Sequence, residues 1–74
     1  MRLLMKLCDS KGAYIQTYRL HVNHVEQAAA KGENILKKWN SAMSAWNEAN
    51  PLDQRALADG WCIWDDAGNL ILCR

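Results

Sequence analysis

From Val25 onward the apolar and small residues fall at Val25, Ala28, Ala29, Gly32, Ile35, Leu36, Trp39, Ala42, Met43, Trp46 and Ala49. The steps between them run 3, 1, 3, 3, 1, 3, 3, 1, 3 and 3, the spacing of one face of an α-helix. Glu26, Gln27, Lys31, Glu33, Lys37, Lys38, Ser41, Ser44 and Glu48 take the remaining angles. In a chain of 74 residues a single helix over 24–49 claims about a third of the polypeptide, roughly 39 Å at about 1.5 Å per residue. Whatever else folds must supply the surface against which that stripe packs.

Local signals bound the helix. Asn23 offers an N-cap oxygen, with Glu26 three residues later in the place of a capping box. Asn50-Pro51 ends it, because the residue before a proline is pushed out of the helical region. Gly32 costs about 1 kcal/mol inside a helix, but it lies on the apolar stripe, where a missing Cβ lets another backbone approach. Val25, Ala29, Gly32, Leu36, Trp39, Met43 and Trp46 are therefore expected to be buried against a sheet. Asn50, Pro51 and Asp53 also read as the start of a short second helix over 51–58, stopped by Gly60.

The flanking segments alternate as strands do. Arg2–Cys8 puts Leu3, Met5 and Leu7 on one face and Arg2, Leu4, Lys6 and Cys8 on the other. A turn at 9–12 follows, with Gly12 free to take a positive φ, and residues 13–22 are rich in Tyr, Ile, Thr and Val. A second hairpin is expected from 61–64, a turn at 65–69 and Leu70–Cys73. The sum is one α+β domain over 1–74 in the order ββα(α)ββ, a four-stranded antiparallel sheet packed on one long helix.

That arrangement has too few layers. Trp61 and Ile63 point one way and Cys62 and Trp64 the other; Leu70 and Leu72 oppose Ile71 and Cys73. Strands apolar on both faces are normally covered on both, and one helix covers one. The second face is expected either to be roofed by residues 51–58 or to form an association surface that includes Leu4, Cys8, Trp64, Ile71 and Cys73.

The chemistry-bearing residues form no catalytic pattern. His21 and His24 make an H-x2-H pair, but no tight C-x2-4-C knuckle accompanies it. Cys8, Cys62 and Cys73 sit in apolar strand contexts, where cysteine acts as a small hydrophobe. Asp65 and Asp66 belong to a turn, and the glycines at 12, 32, 60 and 68 are isolated, unlike a phosphate-binding loop. The expectation is a protein with no enzymatic activity, no cofactor and no metal.

Charge and cysteine count set the partner and the compartment. The net charge of +1 gives no general pull towards polyanions. It is uneven, however: residues 1–40 carry seven basic and three acidic side chains, and 41–74 carry two and five. Lys31, Lys37 and Lys38 are candidate phosphate contacts, and Tyr14 and Tyr18, read as sharing a strand face, are candidate stacking platforms. Three cysteines, an odd number, argue for a reducing cytoplasm over a disulfide framework, and no apolar run suits a membrane span. The expected function is a protein–protein interaction module, homodimeric through the apolar sheet face. The alternatives are a small inhibitor of the phage or mobile-element class, such as anti-CRISPR proteins, that blocks a host protein complex, and a single-stranded nucleic-acid binder, the less favoured of the two. No residue motif resembles a particular family.

Overall fold

The alternating segments form strands, and the order of those strands places the core. A computed structural model describes all 74 residues. Its elements are β1 (Arg2–Cys8), β2 (Tyr14–His21), α1 (Val25–Ala49), β3 (Gly60–Asp65) and β4 (Leu70–Cys73). The sheet is antiparallel throughout, in the order β2-β1-β3-β4, and α1 lies across one face: an α+β fold. Gly12 turns the first hairpin at φ +83°, while the Asp9 carboxylate accepts the Lys11 and Ala13 N–H groups.

Direct partners across an antiparallel ladder share a face, so the register defines two sides. Leu3, Met5 and Leu7 stand opposite Ile63 and Trp61 on β3 and Leu20 and Tyr18 on β2. With Val22, Ala28 and Ala58 the apolar members of this side form the core, and Met5, Leu7, Trp61 and Ile63 are fully buried. This inner face meets α1.

The long helix forms with nearly the expected limits, but its cap differs. His24, in an extended conformation, is the N-cap and makes no side-chain cap bond. The Gln27 carboxamide instead reaches back to accept the Asn23 N–H at 2.8 Å. Asn50 closes the other end, its backbone N–H and side-chain amide both donating to the Trp46 carbonyl.

The stripe is not buried along its whole length. Only Ala28 and Gly32 are buried; Ala29, Ile35, Leu36 and Trp39 are half-buried against the core, Met43 and Trp46 are half-buried, and Val25 is exposed. The cause is length. The 25 residues of α1 span roughly 37 Å, whereas the seven of β1 reach only about 24 Å. The helix outruns its sheet and draws the molecule out to 40 × 20 × 16 Å.

Residues 51–58 form no second helix. After a turn at 51–52 the chain returns as an extended strap along the protruding half of α1. A heptad repeat on the helix, Trp39-Asn40 and Trp46-Asn47, holds it. Asn40 accepts the Ala58 N–H at 2.7 Å and donates to the Ala58 carbonyl at 2.8 Å. Asn47 does the same for Arg55, at 2.6 and 3.0 Å. The two indoles donate to the carbonyls of Ala56 (3.1 Å) and Asp53 (2.8 Å). Seven helical residues rise about 10.5 Å and three extended ones about 10 Å, so asparagines seven apart meet strap residues three apart. Arg55 then lies over the Trp46 ring, 3.8 Å from its centroid. With every one of these contacts on α1, the strap leaves the second face of the sheet uncovered.

Candidate functional site: the open face of the sheet

The outer face is read from the same register. Row by row it presents Cys8 beside Tyr14; Lys6 beside Thr17 and Cys62; Leu4 between Arg19 and Trp64; and Arg2 beside His21. Two one-residue irregularities alter what the alternation predicts. One falls between Leu7 and Cys8, so that Leu7 pairs with Gln16 but Cys8 with Tyr14. Tyr14 is thereby turned to the outer face while Tyr18, opposite Met5, stays on the inner one. The expectation that the two tyrosines share a face is corrected by this bulge.

The other irregularity lies between Ile63 and Trp64, which pair with Leu72 and Leu70. Leu70 therefore joins Trp64 on the outer side, 58% exposed, and does not share a face with Leu72 as strict alternation requires. Ile71, left without a partner, is half-buried and packs against the core. Of the five residues expected on the association surface, Leu4, Cys8, Trp64 and Cys73 stand on the open face and Ile71 is drawn towards the interior.

At the centre of the face Lys6 sits between two rings. Its ammonium is 4.8 Å from the Tyr14 centroid and 5.6 Å from that of Trp64, within the range of a cation–π contact. The rings meet edge to face, with centroids 5.8 Å apart and planes at 87°. Tyr14 is 56% exposed. Arg2, Arg19 and His21 are exposed at the β1/β2 end, and no Asp or Glu falls on the outer face of any strand. Carboxylates appear only at its rim: Asp9 in the β1–β2 turn beside Cys8, and Asp65 and Asp66 in the β3–β4 turn, where they line one cavity with Arg2, Arg19 and His21. Asp65 is committed to its turn, accepting from the Ala67 and Asn69 N–H groups and the Asn69 side chain.

Cys62 and Cys73 face each other across β3 and β4 with Cα atoms 4.1 Å apart and are joined as a disulfide. The reading of all three cysteines as free hydrophobes is thus corrected for two of them, and the inference of a reducing compartment loses its premise. Only Cys8 is free. Burial first, and the neighbouring Asp9 carboxylate second, raise its thiol pKa above the ordinary value, which keeps it protonated and weakly nucleophilic at neutral pH.

The remaining candidates lie apart. His24 caps α1 while His21 stands on the outer face of β2, and nowhere do three His, Cys, Asp or Glu side chains converge on a point. Lys31 donates to the His21 carbonyl at 3.1 Å. Lys31, Lys37 and Lys38 belong to α1, on the layer opposite the open face. Sequence reasoning missed the Tyr14–Lys6–Trp64 cluster and the Asn/Trp clamp. The first depends on a bulge; the second was visible as the repeated Trp-Asn pair.

No family model, curated protein or solved structure matches this chain. No helix is long and apolar enough to cross a membrane.

Proposed function

We propose that this protein is a non-enzymatic binding module whose working surface is the outer face of its sheet, and that its partner is a separate molecule of negative charge. One observation carries the reading: an unroofed β face that sets Tyr14, Trp64, Leu4 and Leu70 among Arg2, Lys6 and Arg19, with no carboxylate between them. Apolar and aromatic side chains supply the contact area, and the cations select the partner.

A second copy of the chain is a poorer fit to this face. A symmetric face-to-face dimer sets the same patch against itself, and here that opposes cations to cations. Area points the same way. The strands, of seven, eight, six and four residues, at about 3.4 Å per residue and about 4.8 Å apart offer roughly 350–450 Å², half of the roughly 800 Å² per partner of a stable interface.

Light scattering at tens of micromolar tests both points. The expected mass is that of the 8.4 kDa monomer; a dimer that Trp64→Glu dissociates would assign the face to self-association. Capture from the native host, comparing wild type with Trp64→Glu, Lys6→Glu and the helix-surface variant Lys37→Glu, tests the surface. A partner held by wild type and Lys37→Glu but lost from the two face variants supports the reading, and equal retention by all four overturns it.

A further inference from the structure

We infer that the anionic partner is a single-stranded nucleic acid, which rests on the outer face being the working surface. Along the strands the face reads Tyr14, then Lys6, then Trp64 with Arg19, then Arg2 with His21. The two aromatic side chains converge across these rows into one edge-to-face pair, with centroids 5.8 Å apart and planes at 87°, a single exposed platform of the kind on which an unpaired base stacks. A duplex presents its bases stacked and inside.

Each group then has a task that its chemistry suits. Tyr14 and Trp64 offer ring surface on which any base can stack. Lys6, 4.8 and 5.6 Å from the two ring centroids, places a cation beside that platform, within reach of the phosphate of a base stacked there. Arg19 and Arg2, both exposed, continue the line of positive charge along β1 and β2. A run of Asp or Glu alone would satisfy the cations but bring nothing to cover the two rings.

Fluorescence polarisation with labelled dT12 tests this, set beside a 12-base-pair duplex and polyglutamate of similar charge. The expected result is binding of dT12 at low salt, weaker binding of both controls, and a log–log salt slope of about −2, as three phosphate contacts give on a single strand. Tyr14→Ala and Trp64→Ala should each weaken dT12 binding about five- to 150-fold, the weight of one stacked base. Arg19→Gln should flatten the slope by about 0.7. Tyr14 and Arg19 are exposed, so their variants remain informative even if Trp64→Ala unfolds, which circular dichroism reports. Failure to bind dT12, equal affinity for polyglutamate or the duplex, or indifference to Tyr14→Ala would each overturn the inference. If dT12 fails while Trp64→Glu and Lys6→Glu still lose a captured partner, the inference falls and the binding face stands. If those variants change neither readout, both fall.

Discussion

Gly32 shows how much one missing carbon can decide. A Cβ built there would lie 2.8 Å from Cε2 and 3.0 Å from Cδ2 of Trp61. These are the fusion atoms of an indole with no exposed surface that cannot swing away. Alanine would gain up to about 1 kcal/mol of helix propensity, but displacing a packed indole costs about 1–3 kcal/mol or more. Gly32→Ala is therefore expected to lower stability by about 1–2 kcal/mol, read from the denaturation midpoint; an unchanged or raised midpoint would show that α1 does not rest on Trp61. The phase of Gly32 on the apolar stripe was legible in the sequence. Its occupant was not: a side chain, and not a second backbone, fills the gap, because that depends on which β3 residue the register brings beneath the helix. The same indole carries a cost, since its Nε1–H is buried without a hydrogen-bond partner. Asn40 and Asn47 make the complementary point about polar residues. Each spends both ends of its amide on one strap residue, so Asn40→Ala is expected to cost about 1–2 kcal/mol. It should also speed hydrogen exchange at Ala58 by more than at Met5, whose exchange reports only the loss of global stability.

Among the elements, those set by periodicity were read closely and those set by tertiary contact were not. α1 and the four strands follow from spacings of about 3.6 and 2 within the chain. The strap of residues 51–58 carries good N-terminal helix signals in Asn50, Pro51 and Asp53, yet a segment of this length gains little from helix formation alone. The ready-made bonding groups of Asn40 and Asn47 outweigh the propensity. The β3–β4 hairpin was also found, but its clip was missed. Cys62 and Cys73 lie symmetrically about the Asp65–Asn69 turn, a relation that the odd cysteine count hid. Ellman titration without reductant should give one thiol per chain, from Cys8, and three after reduction and unfolding; three at the outset would mean the pair is open. For a closure separated by 11 residues the chain-entropy model gives about 2–3 kcal/mol, and Cys62→Ser with Cys73→Ser should lose about that much. The turn adds a pH dependence of definite sign. Hydrogen bonds from the Asn69 backbone and side chain, ahead of those from Ala67 and Gly68, hold the Asp65 pKa below the ordinary carboxylate value. A depressed folded-state pKa means that its contribution is fully present above the unfolded-state value and is lost as pH falls through the lowered one. Protection factors of the β4 amides, corrected for the intrinsic pH dependence of exchange, should fall across that acid range in the wild type, and Asp65→Asn should remove that fall.

At the scale of the whole molecule the decisive fact is a mismatch of layers, and it was visible early. Apolar alternation on both sides of the strands, with one helix to cover them, left the second face either roofed by residues 51–58 or open, and the strap bound along α1 leaves it open. The composition of that face was harder to read. Strict alternation gives a mostly apolar surface, but β2 contributes Arg19, Thr17 and His21, and two bulges exchange one tyrosine and one leucine between sides. A surface expected to bind its own copy thus carries Arg2, Lys6 and Arg19 with no carboxylate between them. Its cations were sought on the helix, at Lys31, Lys37 and Lys38, because a helix displays its polar angles plainly in the sequence, whereas strand neighbours depend on pairings that no single segment records.

The strand order also has a consequence in time. β1 is made first and lies in the middle of the sheet, yet it gains β2 after about a dozen further residues and β3 only once the entire helix and strap exist. Pulse-labelled refolding should therefore show the β1–β2 amides protected before those between β1 and β3. Until the second pairing closes, the strand that carries Leu3, Met5 and Leu7 has one bare edge, and a nascent or denatured chain is most vulnerable to sticking to its neighbours during that interval.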